Sequence, residues 1–152
     1  VADRQRLSEL LAGLRLGKEA LSGITLHIDS ETTCRNCSGQ CCRNGKYRMS
    51  VLDVLSYRTE GVTIYPDFLQ KPLCPYGTSH GCTLEPGYRP TDCILFICDV
   101  LELRLTDSAR ADLATIENSI RECMQETSQL LALQVTAPLL LWAENKSKLR
   151  GL

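Results

Sequence analysis

Cysteine is the residue that most constrains this chain, because nine cysteines and only two histidines occur in 152 residues. Eight of the nine lie between positions 34 and 98, and the ninth, Cys123, stands outside that stretch. An even cluster of eight thiols is typical of either a disulfide framework or a metal site, and the redox compartment decides between them. The sequence therefore predicts that thiol chemistry organises the middle of the chain.

Charge and hydropathy argue against two classes of partner. The 17 Lys and Arg side chains are balanced by 18 Asp and Glu, which leaves no large positive field for a nucleic-acid backbone. The sequence has no uncharged apolar run of about 18 residues, which a membrane-spanning helix requires. Charged residues also interrupt the first 20 positions, so no secretion signal is visible. We expect a protein of the reducing cytoplasm with neither a nucleic-acid nor a membrane partner.

Apolar spacing predicts helices at both ends of the chain. Leucines recur at helical spacing from Leu7 to Leu21, which indicates a first helix that ends near Gly23. A longer stripe follows the cap signal at 107–108 and includes Cys123, which is therefore expected to be a core residue. Thr136 is predicted to cap a final helix whose residues Leu139–Trp142 close the core.

The middle of the chain carries weaker signals. Ser50 and Asp53 form a capping-box pattern, and Gly61 follows at the distance expected for the end of a short helix. Short apolar alternations at 24–28 and 100–105 predict two strands that pair with each other. The predicted fold is α+β, mainly α: one domain over 1–152, with helices around an irregular cysteine-rich centre and one small antiparallel hairpin.

Five of the six prolines lie between positions 62 and 98, so this stretch has little room for regular elements. Ordering each residue costs roughly 1–2 kcal/mol of backbone entropy. A structural zinc ion contributes an apparent free energy of about 10–16 kcal/mol in small zinc domains. One or two metal ions could therefore order the region 34–98.

The spacing of Cys34-Arg-Asn-Cys37 suits both a metal knuckle and a redox dithiol. The redox interpretation requires a strand before the motif and a helix start at it, and this context is not evident. The neighbours Cys41 and Cys42 would point to opposite faces of an extended backbone and so serve different metals, unless a turn brings them together. The later spacings are not those of a zinc ribbon, and thiolates suit both zinc and iron.

The order of these motifs resembles that of the zinc- or iron-chelating domain family, the YkgJ-type cysteine-cluster proteins of bacteria. The family pattern runs C-x-x-C, C-C-R, C-P, C, R-P-x-x-C and a last C. Here these elements stand as Cys34/Cys37, Cys41-Cys42-Arg43, Cys74-Pro75, Cys82, Arg89-Pro90-Thr91-Asp92-Cys93 and Cys98. The resemblance covers residues 34–98. Three residues, 38–40, separate the first two motifs where the family pattern has two.

The resemblance implies a metal-binding protein that chelates zinc or iron, the iron either alone or in an iron–sulfur cluster. The eight thiolates of the cluster are the predicted ligands: Cys34, Cys37, Cys41, Cys42, Cys74, Cys82, Cys93 and Cys98. A tetrathiolate zinc centre has an excess of negative charge, which a nearby guanidinium would stabilise. Arg43 and Arg89 are expected to do so because each stands beside a cysteine motif.

Two alternatives stay open at this point. One is an iron–sulfur redox or electron-transfer protein, or an accessory domain of a modifying enzyme. The other is a disulfide-stabilised secreted module without metal. No catalytic constellation is legible, and His80 and His27 are expected to be exposed side chains on a loop and a strand.

Overall fold

The computed structural model describes residues 2–43, 45–65, 74–78 and 81–139. Within them the protein is mainly helical and has one small antiparallel hairpin, which confirms the predicted fold class. The helices are α1 (Ala2–His27), α2 (Ser30–Asn36), α3 (Val51–Glu60), α4 (Thr91–Leu95), α5 (Asp99–Glu102) and α6 (Asp107–Leu131). The strands are β1 (Gly77–Thr78) and β2 (Gly81–Cys82), and 3₁₀ turns occur at Gln40–Cys42, Gly45–Tyr47 and Pro86–Tyr88.

The two long helices α1 and α6 pack along each other and form an aliphatic core. Leu11, Leu14 and Leu21 of α1 meet Ile120 of α6 in this cluster. Cys123 packs against the same cluster, as predicted. Because these residues recur every three or four positions, one stripe of each helix is removed from water. We call this half of the molecule the helical half.

Helix α3 begins and ends as its sequence predicts. The Ser50 side chain accepts a hydrogen bond from the Asp53 backbone, and the Asp53 side chain accepts one from the Ser50 backbone, which completes the capping box. Gly61 closes the helix with φ of 67°, in the left-handed region that favours glycine. The buried face of α3 packs against the rest of the fold through Leu52 and Tyr57.

The predicted strands at 24–28 and 100–105 are wrong. Helix α1 continues past Gly23 to His27, so the short alternation there lies on a helix. In the second segment Leu101 and Leu105 are buried, at 6% and 9% exposure, whereas Leu103 between them is 83% exposed. Burial at an interval of four with an exposed residue midway indicates a helical turn. Helix α5 holds Leu101, and the turn that follows it reaches Leu105, whose N–H donates to the Glu102 carbonyl at 3.2 Å. The hairpin forms instead between 77–78 and 81–82.

A second buried cluster lies away from the α1–α6 core. Met49, Tyr57, Cys74 and Tyr76 are its buried members, and Cys42 and Cys82 pack against them. Leu139 also packs here, and its backbone N–H donates to the Met49 carbonyl at 3.0 Å. We call this part of the molecule the cysteine half. The rest of the predicted final helix, including Trp142, lies outside the described residues.

No helix in the described ranges combines the length and the apolar character needed to cross a bilayer.

Candidate metal centre

The eight clustered cysteines are presented by several short elements rather than by one sheet or helix. Each stands in or beside a turn: Cys34 in α2, Cys37 at its end, Cys41 and Cys42 in a 3₁₀ turn, Cys74 before β1, Cys82 in β2, Cys93 in α4 and Cys98 at the start of α5. All nine cysteines of the chain are free thiols. Cys74 is buried and the other seven of the cluster are partly buried.

Four of these thiols form a continuous series of contacts. The thiols of Cys41 and Cys74 both lie beside that of Cys42, and the thiol of Cys37 lies beside that of Cys41. The neighbouring Cys42 thiol lowers the pKa of Cys41 to about 6 and the pKa of Cys74 to about 6. The same neighbours, led by Cys41, raise the pKa of Cys42. The effects have opposite signs because adjacent thiols favour loss of a proton from one sulfur over loss from the next.

A 3₁₀ turn explains why Cys41 and Cys42 lie together. The sequence left open whether the pair serves two metals or is bent toward one point, and the backbone at 40–42 is not extended. Ser38 and Gly39 precede the turn with positive φ values of 51° and 72°. The three-residue spacer between the first two motifs is thus taken up by two left-handed residues that reverse the chain.

Backbone N–H groups support two of the thiols. The Gly77 N–H donates to the Cys74 carbonyl at 2.9 Å, and this turn brings the N–H groups of Tyr76 and Gly77 near the Cys74 sulfur, as the N–H of Leu84 lies near Cys82. Each of these backbone groups lowers the pKa of its thiol because it stabilises the negative sulfur. N–H groups two and three positions after a cysteine thus lie near sulfur, an arrangement that also suits a metal-bound thiolate. Sequence reasoning missed these turns, although Pro75 and Gly77 are turn residues that mark one of them.

Close backbone approach completes the surroundings of Cys74. A Cβ added at Gly45 would lie 2.3 Å from the Cys74 Cβ and 2.9 Å from its sulfur. No residue other than glycine fits at position 45 without displacing Cys74, since real Cβ contacts are longer than 3.0 Å. The 3₁₀ turn at 45–47 therefore presses its bare backbone against this thiol.

The other four thiols lie around the first group. Burial raises the pKa of Cys34, and the nearby thiols of Cys41, Cys37 and Cys98 raise it further. Burial also raises the pKa of Cys82, and it raises that of Cys93 to about 12. The Cys74 thiol also raises the pKa of Cys82, and Cys74 and Cys82 both raise the pKa of Cys93. Electrostatic effects of this kind therefore connect cysteines from all the motifs of the region.

Arg104 holds Cys34 and Cys98 in the same neighbourhood. Its guanidinium donates to the Ile28 carbonyl at 3.2 Å and to the Thr33 hydroxyl at 2.8 Å. Arg104 follows α5, whose first residue comes after Cys98, whereas Thr33 directly precedes Cys34. This contact therefore ties α5 to α2, and with them the last and first cysteines of the cluster.

Two arginines lie near the thiols, and only one of them is a residue that the sequence selected. Arg89 lowers the pKa of Cys34 and of Cys82, and it donates from Nε to the Leu84 carbonyl at 3.0 Å. Arg48 lowers the pKa of Cys41, Cys74 and Cys93 and stacks over the Phe96 ring at 5.1 Å.

Arg43 has an exposed side chain. The sequence prediction selected arginines that stand next to a cysteine motif. It missed Arg48 because the nearest cysteine in the sequence, Cys42, is six positions away. The role expected for Arg43 remains a prediction.

A buried ion pair that the sequence did not reveal adjoins the site. Lys18 Nζ lies 2.9 Å from Asp53 Oδ1, and both side chains have 0% exposure. Asp53 also accepts hydrogen bonds from Ser50 and Thr91. A signal was present, since Lys18 interrupts the leucine stripe of α1, but its partner stands 35 positions away.

The thiols of the cluster are the right donors for zinc or iron, but their side chains do not converge on one point. Among the described residues, no group of three or more Cys, His, Asp or Glu side chains stands in an arrangement that could hold a metal. The donors nevertheless have the chemistry that zinc and iron prefer, because soft thiolates bind both ions in tetrahedral geometry. The side chains of the cluster would have to rotate for more than two sulfurs to meet at one point.

The described part of the chain contains one of the two histidines, His27. His27 is exposed at the end of α1, where its Nδ1 lies 2.7 Å from the Gly23 carbonyl. It was expected on a strand and lies on a helix, although its exposure is as expected. His80 lies outside the described residues.

Comparison of the chain with protein-family models, with curated proteins and with solved structures found no match in any of the three. The resemblance to the YkgJ-type cysteine-cluster proteins therefore remains a prediction that depends on the motifs between 34 and 98.

Proposed function

We propose that this protein binds a thiophilic metal ion, zinc or iron, through the thiolates of the region 34–98. The observation that carries the proposal is the series of thiol contacts from Cys37 through Cys41 and Cys42 to Cys74. These residues come from separate segments, and Cys41 and Cys74 both lie beside Cys42. Thiols this close to one another can converge on one zinc or iron ion once they lose their protons and rotate toward it.

The charges around the cluster support the same proposal. A centre with four thiolates has more negative charge than a divalent ion neutralises, so it needs positive groups nearby. Arg89 and Arg48 lie close enough to lower the pKa of several thiols. Backbone N–H groups at Cys74 and Cys82 act in the same direction. All eight cysteines of the region remain the proposed ligands, divided between one or two centres.

A redox dithiol function at Cys34 and Cys37 has less support. The reactive cysteine of such enzymes stands at the start of a helix, where the helix dipole stabilises a thiolate. Here Cys34 lies in the last turn of α2 and Cys37 is its C-cap, at the negative end of the dipole. Burial also raises the pKa of Cys34. Both effects make Cys34 a poor nucleophile, whereas a bound metal would offset them.

A bound metal would supply positive charge and a cross-link between the segments that carry its ligands. The proposal includes a reducing compartment such as the cytoplasm, because the ligands have to remain thiols. It also includes the YkgJ-type family relationship, which implies zinc and iron alike. An iron–sulfur cluster with a redox role is the rival outcome, and it would be visible as a brown protein.

The test is elemental analysis of protein purified without oxygen, with sulfide, zinc and iron measured per chain. We expect about one or two metal ions per chain in the wild type. Cys42→Ser removes the sulfur that lies beside both Cys41 and Cys74, and it should lower the metal content. Cys123→Ser is the matched control, because this thiol packs in the helical half. Wild-type protein with eight titratable thiols in the cluster and no metal would refute the proposal.

A further inference from the structure

The buried ion pair Lys18–Asp53 lies where α1, α3 and the segment before α4 meet. Both side chains are fully buried, and Lys18 lies on the same stripe of α1 as the core leucines Leu14 and Leu21. A charge pair removed from water loses more hydration than the attraction returns, unless further hydrogen bonds complete it. Core packing alone therefore does not explain the Lys18–Asp53 pair. The other groups that hydrogen-bond the two side chains indicate its role.

Those partners are the backbone on either side of Pro90. Lys18 Nζ donates to the Arg89 carbonyl at 2.8 Å. Asp53 Oδ1 accepts from the Thr91 N–H at 3.0 Å and from the Thr91 hydroxyl at 2.8 Å. Proline has no N–H of its own, so the flanking residues supply the polar groups that hold this turn. The ion pair thus fixes both ends of the Arg89-Pro90-Thr91 segment.

The other oxygen of the Asp53 carboxylate is used on α3. Asp53 Oδ2 accepts from the Ser50 N–H at 2.9 Å and from the Ser50 hydroxyl at 2.8 Å. One carboxylate therefore accepts five hydrogen bonds from three segments of the chain. Its position is fixed by the start of α3, and the position of Thr91 is in turn fixed by the carboxylate.

The segment held in this way leads directly to two thiols. Thr91 is the first residue of α4, which carries Cys93. The Arg89 side chain donates from Nε to the carbonyl of Leu84 at 3.0 Å, two residues after Cys82, and its guanidinium lowers the pKa of Cys82. A shift of this segment would therefore move Cys93 and the segment that carries Cys82 together.

We infer that Lys18 and Asp53 are positioning residues of the thiol cluster, and that they act by fixing the Arg89-Pro90-Thr91 segment from which Cys82 and Cys93 are held. The hydrogen bonds of both side chains within the described residues go to groups other than thiols. The inference rests on the proposed function for its metal readout, but its thiol readout is independent of any metal.

The test compares Thr91→Val and Lys18→Met with Ile120→Val. Thr91→Val is nearly isosteric and removes one hydrogen bond to Asp53, and Lys18→Met removes the charge. Ile120→Val is the matched control, because it trims the α1–α6 core without touching the network. For each folded variant, cobalt(II) affinity and the thiolate-to-cobalt absorption spectrum are measured. The alkylation rates of individual cysteines are then measured by mass spectrometry in the reduced, metal-free protein.

We expect Thr91→Val to weaken cobalt affinity by about tenfold, as loss of an outer hydrogen bond does at other metal sites. Lys18→Met should weaken it further, and the spectrum of both variants should change. Alkylation should become several-fold faster at Cys82 and Cys93 but not at Cys37. Ile120→Val should leave the spectrum and the ratio of these rates unchanged, because a general loss of stability exposes all thiols alike.

Wild-type spectra and wild-type alkylation ratios in Thr91→Val would overturn the inference, even if Lys18→Met does not fold. If the wild type binds no cobalt, zinc or iron, the proposed function fails by itself. The alkylation ratios then still decide whether Lys18 and Asp53 position the thiols. The two proposals therefore fail by different observations.

Discussion

The helical half and the cysteine half are stabilised by different side chains. In the helical half, leucines of α1 meet Ile120 of α6 in a core of branched aliphatic groups. In the cysteine half, the buried cluster consists of Met49, Tyr57, Cys74 and Tyr76, with Cys42 and Cys82 against it. Thiols are small, so they bury less apolar area than leucine and contribute less to stability by packing.

The two halves therefore depend on different interactions for their stability. Long amphipathic helices need only each other to exclude water from their apolar faces. The cysteine half consists of 3₁₀ turns, a two-residue hairpin and short helices, and such elements do not persist on their own. We therefore expect removal of metal, of the buried charges or of single core groups to affect the halves unequally.

Metal removal should have the largest effect. In small zinc domains the apparent contribution of one ion is about 10–16 kcal/mol, and chelation unfolds them. A chelator should therefore abolish amide protection in residues 34–48 and 74–98, whereas α1 and α6 retain theirs. Hydrogen exchange with and without chelator measures both regions in one sample. Equal loss of amide protection in both halves would contradict the expectation that metal stabilises the cysteine half selectively.

Breaking the buried ion pair should have the next largest effect. Asp53→Asn leaves Lys18 without its counter-ion, and such a change costs about 3–5 kcal/mol of unfolding free energy. Urea unfolding of the reduced protein measures the loss. Glu117→Gln is the control, because its ion pair with Arg121 is exposed and should contribute less than about 1 kcal/mol. Equal losses in the two variants would show that burial of the Lys18–Asp53 pair is of no consequence.

A cavity in the helical half should destabilise the protein without changing the thiol site. Leu14→Ala removes a side chain that is 1% exposed, and such changes cost about 2–5 kcal/mol. Thermal unfolding measures this cost, and metal per folded chain should stay at the wild-type value. Leu103→Ala, at an exposed position, should change stability by no more than about 0.5 kcal/mol. A parallel fall in metal content of folded Leu14→Ala would contradict the independence of the halves.

The smallest effect is expected from two glycine substitutions of opposite sign. Gly45→Ala would press a methyl group into Cys74, and overpacking of this kind costs about 1–3 kcal/mol. Gly23→Ala adds a methyl group inside α1 with nothing within 4 Å, and it should stabilise the helix by about 0.5–1 kcal/mol. Unfolding free energies of both variants test the two signs. A stabilised Gly45→Ala would show that the turn at 45–47 does not press against the thiol.

The parts of the fold that were predicted correctly are those with local causes. The capping box at Ser50 and the glycine at 61 involve contacts within a few residues, so the bounds of α3 could be predicted from sequence. The segment at 100–105 was misassigned because three alternating leucines fit a strand as well as a helix. The exposure of Leu103, between the buried Leu101 and Leu105, distinguishes the two, since a strand would place all three on one face.

The sequence also predicted only those site residues that have a signal in their own neighbourhood or in the composition. The cysteines could be selected because their number is unusual, and Arg89 because it stands in a motif. Arg48 lowers the pKa of thiols that only the folded chain places near it. Lys18 pairs with Asp53, which stands 35 positions away in the sequence. Long-range partners of this kind have no signature in a single sequence, since nothing local requires them.

The pairing of α1 with α6 has a consequence for how the protein is made. All eight clustered cysteines precede α6 in the chain, so the ribosome releases them before α1 can meet its helical partner. The nascent thiols thus encounter the ions and oxidants of the cell while leucines of α1 are still uncovered. Under the proposed function, the supply of zinc or iron during translation would therefore affect how many chains acquire metal before α6 is made.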